Sequence, residues 1–384
     1  MKILHLSNVI GENEGGGVHE VVANLYKYQK KIQHEPHIWY PGSDEDANSI
    51  REDEHIKALP TFGNLKYGLI KDIFHSIPVE ITEYDILHQH GIWMPISLYS
   101  KKIREKAKIK GVVQPHGYLD PFRLNISKYK KLLAYNLFEK SNLKSANVLV
   151  ACAHNEAYEL KKLFPKKDIS VIPNGVSLEF FNVQRSLNSY VNSKKRMLFL
   201  SQIIPVKGIE RVLRGIHSIG ISKFSNWEFV IAGYENVNYK DFLIKTIDQL
   251  NLKSIVSFVG PKFGQNKIDL YDSASVFILP SFSEGGPISI IEALARGVPV
   301  ITTKGTSWKE LNTYNCGFWV DNSEEGIKIG LLNLLKTSDN ELIEMGNRGK
   351  ELVESKYLWN KTTLKTIELY EWVLNGGAKP DSFI

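Results

Sequence analysis

The run Ser281-Phe282-Ser283-Glu284-Gly285-Gly286-Pro287-Ile288-Ser289-Ile290-Ile291-Glu292-Ala293-Leu294-Ala295 decides how this chain reads. The tetrapeptide before it, Val276-Phe277-Ile278-Leu279, is apolar and short, as a fully buried parallel strand would be. Ile288 to Arg296 has a helical pattern, and Pro287 suits the first position of that helix because a missing N–H costs nothing there. Gly297-Val298-Pro299-Val300-Ile301-Thr302 then returns at once to a buried strand. A strand–loop–helix of this kind directs backbone N–H groups above the sheet, and the helix start favours an anion. Glu284 lies in the loop beside that place, and Glu292 lies about a turn and a half inside the helix. A diphosphate at the helix start has one carboxylate on either side, each able to accept hydrogen bonds from sugar hydroxyls. Nucleotide-sugar chemistry is the natural reading. The plain alternative pairs Glu292 with Arg296 at i, i+4 on a helix surface and leaves Glu284 an ordinary loop acid.

Working outward, 384 residues suffice for two domains, each with its own core. A hydrophobic share of 43% and a charged share of 23% are those of a globular protein, and no apolar run approaches a membrane span. The opening Met1-Lys2-Ile3-Leu4-His5-Leu6-Ser7 reads as a first core strand rather than a signal peptide. Cys152 and Cys316 sit in apolar, strand-like surroundings, which points to buried free thiols in a reducing compartment. The net charge of +6 is uneven: Lys101 to Asp168 holds 16 Lys and Arg against 6 Asp and Glu, so the remainder is net negative. A localised anionic partner is implied. No recognised nucleic-acid motif appears, and lysines cluster beside Tyr129, Leu132, Leu133 and Tyr135, so an anionic membrane surface or a pyrophosphate-bearing lipid fits better. A solvated helix face is the bland alternative.

Strand and helix patterns alternate along the chain, which implies parallel sheets flanked by helices. The first half offers strands at Lys2–Ser7, His37–Tyr40, Ile86–His88, Gly111–Gln114, Val148–Ala151 and Ile169–Ile172. Helical patterns lie between them at Val18–Lys30, Ile96–Lys108, Lys128–Ser141 and Asn155–Leu163. The second half offers strands at Met197–Ser201, Glu228–Ala232, Val256–Val259, Val276–Leu279 and Val298–Thr302. Gln184 to Lys195 is polar and rich in Ser and Asn, a linker between domains at 1–184 and 195–358.

The Glu284–Glu292 block closely resembles the donor-binding signature of glycosyltransferase family 4 (group 1), the retaining GT-B enzymes, in which seven residues likewise separate two glutamates. The resemblance implies an α/β GT-B fold, two Rossmann-like domains facing across a cleft, with the segment 359–384 returning to complete the first. It implies a hexosyltransferase using a nucleotide-diphosphate sugar, UDP rather than GDP on family frequency, with no cofactor and no metal. In that picture Glu284 holds donor-sugar hydroxyls and Glu292 the ribose diol. The N–H groups of Gly285, Gly286, Ile288 and Ser289 stabilise the leaving diphosphate together with Lys207. Ser201-Gln202-Ile203-Ile204-Pro205-Val206-Lys207-Gly208 corresponds to a family segment with Arg and Lys five positions apart; Lys207 matches, and Gln202 replaces the arginine. Gly16 and Gly17 belong to a Gly15-Gly16-Gly17 loop that the family places near the donor phosphate and the acceptor, and Gly260-Pro261 frames the nucleobase. Gln114-Pro115-His116-Gly117-Tyr118-Leu119-Asp120-Pro121 resembles the His-Gly element of a family subgroup, which assigns His116 to the donor sugar at the cleft mouth. His116, Lys207 and Glu284 are therefore the expected catalytic residues.

Leu87-His88-Gln89-His90-Gly91 offers a competing His-Gly pair; alternate histidines suit a metal, but the spacing suggests no third ligand. Asp120, Arg123, Lys128, Lys130 and Lys131 form the expected acceptor or membrane side. The resemblance implies a saccharide or polyprenyl-diphosphate acceptor in lipopolysaccharide, O-antigen or capsule synthesis. The matching location is cytoplasmic, peripheral on the inner face of the cytoplasmic membrane, with no nucleic-acid partner. Two rivals keep the fold: a membrane-docked partner without turnover, suggested by Gln202, and a nucleotide-sugar epimerase or hydrolase.

Overall fold

The computed structural model describes residues 1–8, 17–42, 53–62, 69–71, 77–181, 194–235 and 238–384. The chain divides into two compact units, Met1–Asn174 with Trp359–Ile384, and Gly175–Leu358.

The first unit is built on β1 (Lys2–Ser7), β2 (Glu35–Pro41), β3 (Ile56–Leu59), the short antiparallel pair β4 (Thr61–Phe62) and β5 (Leu69–Ile70), β6 (Ile86–His90), β7 (Lys110–Gln114), β8 (Val148–Ala151) and β9 (Asp168–Val171). Seven of these make a parallel sheet in the order β3-β2-β1-β6-β7-β8-β9. Its central strands carry Ile, Leu and Val on both faces because helices cover both faces. Leu4, Leu6 and Leu87 pack on one side with Ile96, Tyr99 and Ile103 of helix Ile96–Ala107. On the other side Ile3, Ile86, Val112 and Val148 meet Ile367, Leu369 and Tyr370 of the C-terminal helix Trp359–Asn375. Each fully buried side chain of this kind is worth about 1.5–3 kcal/mol, so that helix is an integral part of the first unit's core.

The single helix expected over Lys128–Ser141 is three pieces: Lys128–Ala134, a π turn Tyr135–Glu139, and Lys140–Ser145. The extra residue of a π turn rotates the helix beyond it. Here Glu139 ends fully buried, its carboxylate accepting from Trp93 N–H at 2.9 Å and Asn142 Nδ2 at 2.7 Å. Periodicity alone does not register that inward pull.

The second unit holds β10 (Lys195–Leu200), β11 (Trp227–Ala232), β12 (Val256–Gly260), β13 (Val276–Leu279), β14 (Val300–Thr303) and β15 (Gly317–Val320). They form a parallel sheet ordered β12-β11-β10-β13-β14-β15. Residues 175–181 belong to this unit, which moves the expected boundary at 184 back to Asn174. Val176 N–H donates to Tyr357 O at 2.9 Å, and Phe180 O accepts from Arg296 at 2.8 Å. Lys195, expected in the linker, opens β10; most of the linker, 184–193, lies outside the described residues. Cys152 and Cys316 are both buried and free. Among the described residues no helix is long and apolar enough to cross a membrane.

Candidate active site

The second unit's site grows from the C-terminal end of β13. Its loop runs to Pro287, which caps helix Ile288–Ala295 from just outside it rather than occupying the first helical position. Glu284 is buried, accepting from Ser281 Oγ at 2.8 Å and from the ammonium of Lys207, itself buried. Lys207 comes from the one-turn helix Pro205–Lys207 that succeeds β10. Gly208 ends that turn with a left-handed φ of 65°, and a Cβ there would stand 2.5 Å from Pro280 O. Phe282 N–H donates to Val206 O at 2.9 Å and Glu284 N–H to Gly305 O at 3.0 Å, so neighbouring segments hold the loop. Arg211 pins it as well: the buried guanidinium donates to Pro280 O and to Asn322 Oδ1 (2.9 Å) and lies 3.8 Å over the Phe282 ring. Burial lowers the pKa of that guanidinium.

Glu292 is also buried, but Arg296 is not its side-chain partner. Arg296 grips Asp272 at 2.7 and 2.5 Å, so the helix-surface pairing of Glu292 is ruled out. Glu292 instead receives Lys267 Nζ at 2.5 Å and Tyr271 O–H at 2.8 Å, both from helix Gly264–Asp272. Sequence reading missed these two; the signal available was their i, i+4 spacing just after Gly260-Pro261. The carboxylates thus stand in two hydrogen-bonded networks, one in the loop and one inside the helix, and between them Gly285, Gly286 and Ser289 remain half-exposed and Ile288 is buried. Gln202 is half-buried and its side chain makes no hydrogen bond among the described residues. Gly260 takes a left-handed φ of 70° and Pro261 is exposed; nearby, the Tyr234 and Phe263 rings pack 5.6 Å apart.

In the first unit, β1 and β6 run parallel with His5 opposite His88, and alternation puts His90 on the same sheet face. Gln29 of helix Gly17–Lys31 and Tyr370 of the C-terminal helix close over them. His5 Nε2 contacts Gln29 Oε1 at 2.8 Å, His5 Nδ1 contacts His90 Nε2 at 2.9 Å, and His90 Nδ1 contacts His116 Nε2 at 3.2 Å. His116 Nδ1 lies 3.6 Å from Cys152 Sγ, and His88 Nδ1 meets Tyr370 OH at 2.6 Å. Both nitrogens of His116 therefore have contacts inside the unit, while the residue itself stays half-exposed. Burial holds its pKa down at about 3 and that of His5 at about 4. His116 lies just past β7 with a left-handed φ of 57°, a position costly for a residue with a Cβ. The turn is held by the buried Glu156 carboxyl, which accepts from Gly117 N–H at 2.5 Å and Cys152 N–H at 2.8 Å. Burial pushes Glu156 up to about 7 against the opposing pull of those donors.

Gly16 lies outside the described residues, and Gly17 is the first residue of its helix. Asp120 caps helix Pro121–Asn125 through Phe122 N–H at 2.8 Å, and the Arg123 guanidinium lies 5.5 Å over the Tyr118 ring. Lys128 and Lys130 are exposed, whereas Lys131 turns back to donate to Arg123 O. Beside them Tyr129, Leu132, Leu133 and Leu137 are 85%, 54%, 62% and 70% exposed, a basic and apolar patch.

The family model for group 1 glycosyl transferases matches residues 183–352, and that for glycosyltransferase family 4 matches residues 15–180. The chain belongs to the group 1, family 4 glycosyltransferases. It is 28% identical over 218 residues to the uncharacterized glycosyltransferase MJ1607 of Methanocaldococcus jannaschii, an alignment that takes in 54% of this family member and about half (55%) of that protein. It is 29% identical over 329 residues to the Escherichia coli UDP-Gal:alpha-D-GlcNAc-diphosphoundecaprenol alpha-1,3-galactosyltransferase, 80% of each chain. The crystal structure of Anabaena HepE in complex with UDP and glucose superposes with a TM-score of 0.74 at 15% identity, over 96% of this chain and 98% of that one. The shared fold is GT-B.

Proposed function

We propose that the chain is a retaining hexosyltransferase that moves a sugar from a nucleotide diphosphate, UDP in preference to GDP, to a lipid-linked or saccharide acceptor. The observation that carries this is the pair of buried carboxylates flanking one helix start, Glu284 on Lys207 and Glu292 on Lys267 and Tyr271. In transfer, the bond from the anomeric carbon to the diphosphate oxygen breaks while the acceptor oxygen bonds that carbon from the same face. The acceptor proton passes to the departing phosphate. The residues need only stabilise the charge that develops there, and Lys207 with the amides of Gly285, Gly286, Ile288 and Ser289 can do so without a metal at the diphosphate. Losing one such preorganised donor typically costs roughly 100- to 1000-fold in kcat.

Glu284 takes the donor-sugar hydroxyls, Glu292 the ribose diol and Gly260-Pro261 the base edge; His116 is assigned to the donor sugar and Gly17 to the phosphate side. HepE's complexes with UDP and glucose support the nucleotide, and the E. coli enzyme's diphosphoundecaprenol substrate supports a lipid-linked acceptor. The patch of Lys128, Lys130, Tyr129 and Leu133 suits an anionic bilayer, which agrees with surface-polysaccharide synthesis on the inner face of the cytoplasmic membrane. The test is a panel of UDP- and GDP-sugars incubated with the purified protein, with mass spectrometry of released nucleotide and transferred sugar. Release from one UDP-sugar, slowed in Glu284→Gln, is expected; no binding or turnover of any nucleotide sugar overturns the reading.

A further inference from the structure

We infer that His5, His88 and His90 form a binding site for one late transition-metal ion, zinc being the expected occupant, inside the first unit and separate from the diphosphate chemistry. All three rings are buried, and one nitrogen of each lies within 4.8 Å of the others. The remaining nitrogens are already held from outside: His5 Nε2 by Gln29 Oε1 at 2.8 Å, His88 Nδ1 by Tyr370 OH at 2.6 Å and His90 Nδ1 by His116 Nε2 at 3.2 Å. That is the arrangement of metal-bound histidines, whose second nitrogen is gripped by an outer partner that fixes ring and tautomer. The inward atoms are then His5 Nδ1, His88 Nε2 and His90 Nε2.

A second observation points the same way. His88 Nε2 is buried and has no hydrogen-bond partner among the described residues. The neighbouring Gln114 amide donates to Cys152 Sγ at 3.3 Å and interacts with the His88 ring as well. An orphaned buried nitrogen costs about 1–3 kcal/mol, and a metal ion removes that cost. Nitrogens of a tetrahedral zinc site stand about 3.4 Å apart; His5 Nδ1 and His90 Nε2 are 2.9 Å apart and the three nitrogens lie within 4.8 Å of one another, so binding requires the rings to re-space around the ion. Beside His88 lies a small cavity, lined mostly by apolar side chains but edged by Gln114, Asn174 and Thr366, with space for about one water as fourth ligand. Three imidazoles without a carboxylate select zinc, cobalt, nickel or copper over magnesium or calcium.

Loading releases no proton from the histidines. The His90 proton moves from Nε2 to Nδ1, His116 accepts on Nε2, and its own proton moves to Nδ1 beside Cys152. The ion thereby also sets the tautomer of His116.

The experiment uses the full chain without a histidine tag. Metal content is measured by mass spectrometry of the purified protein, and the chelator-stripped protein is titrated with Co2+ and Zn2+, monitored by Co2+ absorption. One equivalent bound, with a tetrahedral cobalt spectrum, is expected. His88→Phe should abolish it, and Tyr370→Phe, which leaves the ligands in place, should weaken affinity about 10- to 100-fold. If His88→Phe fails to fold, Tyr370→Phe decides. The second group, exposed Glu35 with half-buried His37 and His55, is the internal control: His55→Ala should change nothing. No binding by the wild-type chain, or binding indifferent to His88 and Tyr370 but lost with His55, overturns the proposal.

Discussion

Glu156 should make the first unit more stable in mild acid, and the effect can be sized. Its carboxyl is buried under the His116–Gly117 turn with a pKa of about 7, against 4.5 ordinarily. Between those values the folded state keeps a proton that the unfolded chain has lost. The stabilising contribution is therefore complete below about pH 4.5 and is lost as pH rises through 7. Each unit of that gap is worth about 1.4 kcal/mol, so the full difference is roughly 3 kcal/mol, of which roughly 2.5 kcal/mol falls between pH 5 and 8. Against a total stability of about 5–15 kcal/mol, this is measurable. Buried histidines whose pKa is lowered act in the opposite direction below pH 6.5, so the useful quantity is a difference. Glu156→Gln removes the titration but leaves one of the two amides, Gly117 or Cys152, without its acceptor, a pH-independent cost of about 1–3 kcal/mol. The variant should be less stable than wild type at pH 5, and the gap should close or reverse by pH 8. Urea unfolding at half-unit steps from pH 5 to 8 supplies the comparison. A gap that stays constant across the range refutes the reasoning, and would mean that the two N–H donors outweigh burial and keep the carboxylate ionised throughout.

The same geometry sets four further outcomes. Glu292→Ala should weaken UDP binding by about 1.5–3 kcal/mol, the worth of charge-assisted hydrogen bonds to a ribose diol, measured by calorimetry; unchanged affinity with lower stability would reduce Glu292 to a structural partner of Lys267. Gln202→Arg should leave the circular dichroism spectrum intact and tighten nucleoside-diphosphate binding; loss of binding would show that another group fills that volume. Glu284→Gln should free Lys207, tightening UDP while slowing transfer from the UDP-sugar; a parallel loss of both would contradict the assigned roles. Lys128→Glu with Lys130→Glu should release the protein from anionic vesicles in sedimentation at low salt, since each basic residue at such a surface is worth about 1 kcal/mol within a Debye length; equal binding to neutral vesicles would leave the patch as ordinary surface.

The glutamate loop was legible because all its information is local: a buried strand, a glycine pair, a capping proline and a helix lie within twenty or so positions. The partners of those glutamates were not, because tertiary packing supplies them. Lys267 reaches Glu292 across 25 positions and Lys207 reaches Glu284 across 77. The histidine cluster shows the same divide. His88 and His90 can be paired by alternation alone, but His5 joins them only once β1 is known to lie beside β6 with His5 opposite His88. Strands β3 and β15, each at a sheet edge and only partly buried, escaped notice, and the π turn at Tyr135–Glu139 did because the demand on it comes from Trp93 and Asn142, far away in sequence or after the turn.

Gln202 gains its meaning from the Lys207–Glu284 pair. An arginine at that position would add a planar donor fork for phosphate oxygens, leaving the lysine one cation among two. Here Lys207 is buried and already shares its charge with Glu284. A diphosphate arriving at the helix start must compete for that ammonium, and it does so best when the sugar hydroxyls give Glu284 replacement hydrogen bonds. An intact nucleotide sugar satisfies both groups at once, whereas a bare nucleoside diphosphate leaves a buried carboxylate short of a partner. Breaking a buried pair by removing one partner costs about 3–5 kcal/mol, far more than a single neutral hydrogen bond returns. The departure at Gln202 therefore need not signal lost activity. On the proposed chemistry it ties capture of the phosphates to the presence of the sugar, and it lets the spent nucleotide leave.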